Sequence, residues 1–206
     1  MHDGASTPIE ALPTGEFRQE LTSAIPYMRA FARSLTGNDA AADDLTQDAL
    51  VKAWRARERF RAGTNFRAWV FTIVRNQFYS DQRRSWRQAP WDEEKAKRTL
   101  TGPQGLDSMM ALDELRRALA ELPDDQREAI VLVGAGGFAY EEAAQICGCA
   151  VGTIKSRVSR ARKALAMMLE DGADKLPDGR KGESASNAAD LLMAEVDALA
   201  NNGREG

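Results

Sequence analysis

Histidine, cysteine and long apolar runs are what this chain has least of, and each shortage excludes a class of function. One histidine, His2, in 206 residues leaves no imidazole cluster to hold a catalytic metal or to act as a general base. The two cysteines, Cys147 and Cys149, stand one residue apart. So close a pair does not bridge easily, and without further Cys or His it makes no zinc site. Both read as small apolar fillers, with redox sensing as the lesser alternative. No stretch approaches the roughly 18 apolar residues of a membrane span. The opening MHDGASTPIEALPTGE has neither the basic start nor the apolar core of a secretory signal. Nucleophile–base pairs and phosphate-cradling loops are also missing. The expectation is a cytoplasmic protein that is not an enzyme, with no cofactor, no metal, no membrane association and no small-molecule substrate.

What is present is charge, unevenly spread. The net charge is −3, yet Lys52 to Arg87 hold ten Lys/Arg against two acids, Glu58 and Asp81. Acids gather instead in 39–48, in 92–94 and after Glu170. A near-neutral chain with basic islands binds polyanions locally. The second island lies within EEAAQICGCAVGTIKSRVSRARK, residues 141–163. Glu141 and Glu142 suit a helix N-terminus, and Ala143, Ala144 and Ile146 form a short apolar helix. Gly148 supplies the positive φ of a tight turn. A second helix starts near Val151, with Thr153 as a candidate N-cap. Ile154, Val158, Ala161 and Leu165 recur at helical spacing and form its buried face. The other face carries five cations in nine residues, Lys155, Arg157, Arg160, Arg162 and Lys163. Two helices around a glycine turn, the second basic, make a helix-turn-helix whose second helix enters the DNA major groove. Lys155 and Arg160 are suited to guanine, Ser156 and Ser159 to bases or phosphates.

In chain order, residues 1–15 read as disordered. Phe17, Leu21 and Ile25 mark a first short helix, and Pro26 opens a second that carries Met28, Phe31, Ala32 and Leu35 to a stop at Gly37. Asn38 or Asp39 starts a helix to Arg59, with Ala42, Leu45, Ala49, Ala53 and Ala56 inward and Asp43, Asp44, Gln47, Asp48 and Lys52 outward. Asn65 is placed to cap the helix 66–84, which mixes rings and cations. Its expected buried stripe is Phe66, Trp69, Val70, Ile73 and Phe78, leaving Phe71, Tyr79, Arg75, Asn76, Arg83 and Arg84 over. Rings and cations with polar hydrogen-bonders are what single-strand binding uses. Residues 88–108 read as a flexible linker. A helix Met110–Leu122 stops at Pro123, and another follows from Asp124 to Val133 with Ile130 and Val133 inward. Beyond 171 a polar spacer leads to Ala189, Leu192, Val196 and Leu199 at helical spacing, a tail helix marginal on its own that docks on a domain, binds a partner or stays mobile, three readings the sequence leaves open. The fold class is all-α: two small helical domains, 16–87 and 109–170, joined by the linker.

DDLTQDALVKAWRARERF, NFRAWVFTIVRNQFYSDQRR, LPDDQREAIVLV and YEEAAQICGCAVGTIKSRVSRARKAL together resemble regions two and four of the bacterial extracytoplasmic-function (ECF) sigma factors. PYMRAFARSLTGN and VGAGGFAYEEAA are similar, more narrowly, to the EcfG-type general-stress sigma factors of alphaproteobacteria. The resemblance implies a transcription initiation factor that binds core RNA polymerase and promoter DNA. On it, Asp44, Gln47, Asp48, Lys52 and Trp54 match the surface for the polymerase beta-prime clamp helices. Asn65, Arg75, Asn76, Tyr79, Arg83 and Arg84 fall in the part that captures unpaired −10 bases. Thr153, Lys155, Ser156, Arg157, Ser159 and Arg160 match the −35 reading helix. It further implies that the linker, with Asp92, Glu93 and Glu94, threads toward the polymerase active site. A small helical anti-sigma factor would sequester both domains until a phosphorylated response regulator carrying a sigma-like domain released them.

Two other accounts explain less. An ordinary helix-turn-helix repressor leaves residues 66–84 and the acidic helix at 43–48 without a purpose. A sigma-like decoy that binds only an anti-sigma factor has no need of cations at both the −10 and −35 segments.

Overall fold

The computed structural model describes residues 11–88 and 108–173, and among these every regular element is helical. The first lobe comprises α1 (Thr14–Thr36), α2 (Asp39–Arg55), a 3-10 turn (Arg57–Arg59) and α3 (Phe66–Gln88). The second comprises α4 (Ser108–Glu121), α5 (Asp124–Ile130) running into a π-helical turn (Val131–Ala135), α6 (Tyr140–Cys147) and α7 (Val151–Ala173). The linker acids Asp92, Glu93 and Glu94 and the tail residues Ala189, Leu192, Val196 and Leu199 lie outside the described residues.

Pro26 does not divide the first helix. It sits inside α1, because Phe17, Leu21, Ala24, Met28, Phe31, Ala32 and Leu35 form one unbroken buried face. An apolar period held in phase over 23 residues outweighs the single backbone bond that proline cannot donate. The same face draws the helix start to Thr14, inside the stretch expected to be disordered, with the Phe17 amide donating to the Pro13 carbonyl at 2.9 Å. Gly37 ends α1 in the left-handed region at φ +70°, and Asn38 caps α2, its side chain accepting from the Ala41 amide. That helix stops at Arg55, earlier than the periodicity suggests, and tightens into the 3-10 turn.

In α3 the buried residues are Phe66, Val70, Phe71, Val74, Gln77 and Phe78, which corrects the expected stripe. Trp69 and Ile73 are only partly buried. Phe71, expected to be left over, stacks on Phe31 with centroids 4.7 Å apart and meets Phe138 edge-on at 5.1 Å. Its burial comes from α3 being covered twice, by α1 and α2 on one side and by the second lobe on another. One apolar cluster consequently runs from Phe17 through Phe71 to Phe138, Ile154 and Val158. A smaller one joins Leu115 and Leu119 of α4 and the following Leu122 to Ile130, Ala161 and Leu165. After Asp124 the inward residues include Ile130, Val131 and Leu132, while Val133 is only partly buried. The π turn shifts the helical phase there.

Candidate nucleic-acid interface

The second lobe presents α7 with the buried face read from the sequence, but not with every outward residue. Gly148 closes α6 in the left-handed region at φ +63°, so a Cβ there would be strained. Glu142 reaches back to accept from the Ala139 amide at 2.9 Å, satisfying a donor that a helix start leaves open. Ile154, Val158, Ala161 and Leu165 are buried, and this anchors the helix. Lys155, Ser159, Arg160, Arg162 and Lys163 are exposed on the opposite side. Thr153 is not the N-cap: α7 starts at Val151, and the Thr153 amide already donates to Ala150 at 2.9 Å. Ser156 is half-buried and donates to the Thr153 carbonyl at 2.9 Å. Arg157 turns inward, its Nε 3.1 Å from Asp125 of α5. The exposed cations therefore form the outer surface, and Arg157 braces it.

On α3 the candidates divide. Asn76, Arg83 and Arg84 are exposed, Arg84 with a long 3.9 Å contact to Asp81. Asn65 caps the helix, its side-chain oxygen accepting from the Ala68 amide at 3.0 Å, and its Nδ2 donates to Glu142 at 2.7 Å. Arg75 and Tyr79, half-buried, both turn to Glu128 of α5: the Arg75 Nε stands 2.6 Å from Glu128 Oε1, and the Tyr79 hydroxyl donates at 3.3 Å. Glu128 is fully buried. Burial raises its pKa, and the Arg75 guanidinium opposes that. Burial likewise works against charge on Arg75, but the attraction of Glu128 prevails and Arg75 stays charged. The Tyr79 phenol is pushed up to about 12, first by burial and then by the Glu128 charge, so it remains a donor.

Glu128 was missed from sequence. Its signal was an acid in phase with Val131, Leu132 and Ala135, where the helical period predicts only apolar side chains.

Cys147 lies beside this group, buried, with its thiol pushed up to about 12 chiefly by burial. Cys149 is less buried and accepts from Arg157 at 3.9 Å. In a thiol-reagent titration at pH 8, Cys149 is expected to react quickly. Cys147 should be slower by on the order of a thousandfold until the protein unfolds, for want of thiolate. Two fast thiols in the native protein would contradict the buried placement.

On the outer side of α2, Asp44, Gln47, Asp48 and Lys52 are exposed at helical spacing. Asp48 accepts from Gln77 at 3.3 Å. Trp54 is half-buried, edge-on to Phe17 at 6.1 Å, with the Arg57 guanidinium 5.4 Å from its ring centre. It lines an apolar groove of about 460 Å³ with Leu21, Ile25, Leu50 and Val51. The groove adjoins the polar row. Among the described residues no group of His, Cys, Asp and Glu is arranged to hold a metal, and no helix is long and apolar enough to cross a membrane.

Residues 22–88 match the Sigma-70 region 2 family and residues 112–165 the Sigma-70, region 4 family. The chain is 49% identical over 162 residues to the ECF RNA polymerase sigma factor EcfG of Rhodopseudomonas palustris, covering 78% of this chain and 90% of that one. Among solved structures it is similar to the sigma factor RpoE of Bartonella quintana in complex with the anti-sigma factor NepR. That match has 47% identity and a TM-score of 0.65, over 76% of this chain and 98% of the other. It is also similar to CnrH in complex with the cytosolic domain of CnrY, at 27% identity and a TM-score of 0.58, over 77% and 90% of the two chains.

Proposed function

The chain belongs to the ECF RNA polymerase sigma factors and is EcfG-like, with sigma regions 2 and 4, and on that premise we propose how its surfaces divide the work of transcription initiation. The outer face of α7, with Lys155, Ser159 and Arg160 foremost, reads the −35 element in the major groove. Asn76, with Arg75, Tyr79, Arg83, Arg84 and Asn65 around it, takes unpaired −10 bases. Asn76 offers an amide to a base edge while the arginines hold phosphates. Asp44, Gln47, Asp48 and Lys52 meet the charged clamp helices of core polymerase, and the groove beside Trp54 receives apolar side chains of the same partner. The place of action is the cytoplasm, and the chemistry of RNA synthesis is the polymerase's own.

The observation that carries this reading is the presence, in one chain, of two separate surfaces with exposed cations, Arg83 and Arg84 on α3 and Lys155, Arg160, Arg162 and Lys163 on α7. A repressor needs one such face, and a decoy needs neither. The RpoE relative is bound to the anti-sigma factor NepR, which supports control of this chain by a small helical anti-sigma factor, and the likeness to EcfG goes with a role in general stress response.

Run-off transcription tests the reading. Core RNA polymerase with this chain should initiate at discrete sites on promoter fragments from the same genome and remain silent there without it. A chain that neither bound core polymerase nor directed initiation would leave the decoy as the better account.

A further inference from the structure

Gln77 occupies a place in α3 where the helical period calls for a hydrocarbon. It follows Val70 and Val74 on the buried side of the helix and is only 4% exposed. Its amide nitrogen donates twice, to Asp81 one turn later at 2.7 Å and to Oδ2 of Asp48 on α2 at 3.3 Å. Its oxygen is buried with no hydrogen-bond partner. The two acids dictate this orientation: turned over, the amide would set its oxygen against both carboxylates and lose both bonds. An unpaired buried acceptor works against folding, so for stability alone a methionine or leucine would serve better here. The acids do not need the amide either. Asp48 is exposed and the Asp81 side chain is 41% exposed, so water can satisfy both.

We propose that Gln77 is a positioning residue for core polymerase: anchored by Asp81, its amide nitrogen holds one oxygen of the Asp48 carboxylate and presents the other to a cation of the clamp helices. A carboxylate tied at one oxygen has less rotamer freedom to lose when it docks. Its second oxygen keeps its lone pairs for a guanidinium or ammonium, the charge-assisted partner that such an acid binds best. Asp81 is what keeps the nitrogen of Gln77, and not its oxygen, turned towards α2. The polar atom in the core is thus retained for binding and against stability. The inference rests on the assignment of Asp48 to the polymerase-facing row and adds to that row a residue hidden beneath it.

Gln77→Met fills nearly the same space, removes the orphaned oxygen and cannot donate. Two readouts on the full-length chain are needed. The midpoint of guanidinium denaturation reports stability. Anisotropy of the chain, labelled at its amino terminus and titrated with core RNA polymerase in the absence of DNA, reports affinity. The midpoint is expected to hold or rise while the dissociation constant rises about fivefold. A fallen midpoint with unaltered affinity is the mark of a packing role and overturns the proposal. Asp81→Ala, at a side chain partly in solvent, frees the Gln77 amide and should weaken core binding by about two- to threefold; no loss there overturns the anchoring. The decisive comparison is a double-mutant cycle. In a chain already carrying Asp48→Ala, Gln77→Met should cost no further affinity, whereas an equal loss with and without Asp48 overturns the proposal. An error in the polymerase assignment shows itself separately, because Asp48→Ala alone would then leave core affinity at the parent value.

Discussion

Replacing Asn76 by alanine is expected to reduce run-off transcript from duplex promoters by about ten- to a hundredfold, and a template already unpaired across its −10 segment should restore most of it. The estimate follows from what an amide can do for a base. A good bidentate contact is worth about 1–3 kcal/mol, comparable with the few kcal/mol needed to take a base out of the stack. Asn76 is exposed beside Arg75, on a helix fixed by Val70, Val74 and Phe78, all buried, so the loss is local. Pre-melting removes the cost that the lost contact was helping to offset. Arg160→Ala is the contrasting case. Arg160 is exposed on α7, the face proposed to read duplex DNA, so its defect should be the same on both templates. Equal defects for Asn76→Ala on duplex and pre-melted DNA would place Asn76 in binding and not in strand opening.

The contrast has a structural basis. On α7 Ile154, Val158, Ala161 and Leu165 face inward and every cation but Arg157, which pairs with Asp125, lies opposite. A single amphipathic face is legible from periodicity, so that helix, its glycine turn and its basic surface could be read in advance. α3 is different because it has two packed sides. Periodicity finds one stripe and leaves Phe71 and Tyr79 without a place, since the covering surface comes from residues about 60 positions later in the chain. The same reason hid Glu128. Its helix signals an inward position, but nothing local tells whether the inward partner is a hydrocarbon or a guanidinium. Pro26 misled in the opposite direction. The local penalty is visible in the sequence, whereas the support of seven buried side chains, three before it and four after, is visible only when the register is followed through the proline.

The largest effect on stability is expected from Phe17→Ala, at a residue that lies before the span matched by the region 2 family. Phe17 is fully buried, and its ring meets Phe66 at 5.2 Å, Trp69 at 5.9 Å, Trp54 at 6.1 Å and Phe60 at 6.4 Å. All four contacts are edge-on, the favoured arrangement for aromatic pairs. They tie the first turn of α1 to the end of α2, to the segment after the 3-10 turn and to the start of α3. Truncation removes the ring and leaves a cavity among side chains too large to collapse into it, a change that costs about 3–5 kcal/mol in other cores. Set against a total stability of about 5–15 kcal/mol for a typical domain, the first lobe should then be close to unfolding at physiological temperature. Denaturation in guanidinium, followed by tryptophan fluorescence, is a direct measure because Trp54 and Trp69 border the cavity. Val51→Ala, at a residue 48% exposed, should move the midpoint little. A midpoint equally unmoved by Phe17→Ala would mean that the first turns of α1 lie outside the cooperative unit. The core of the lobe would then begin with Leu21 and Ala24, and the aromatic cluster would contribute to the shape of the groove beside Trp54 without holding the lobe together.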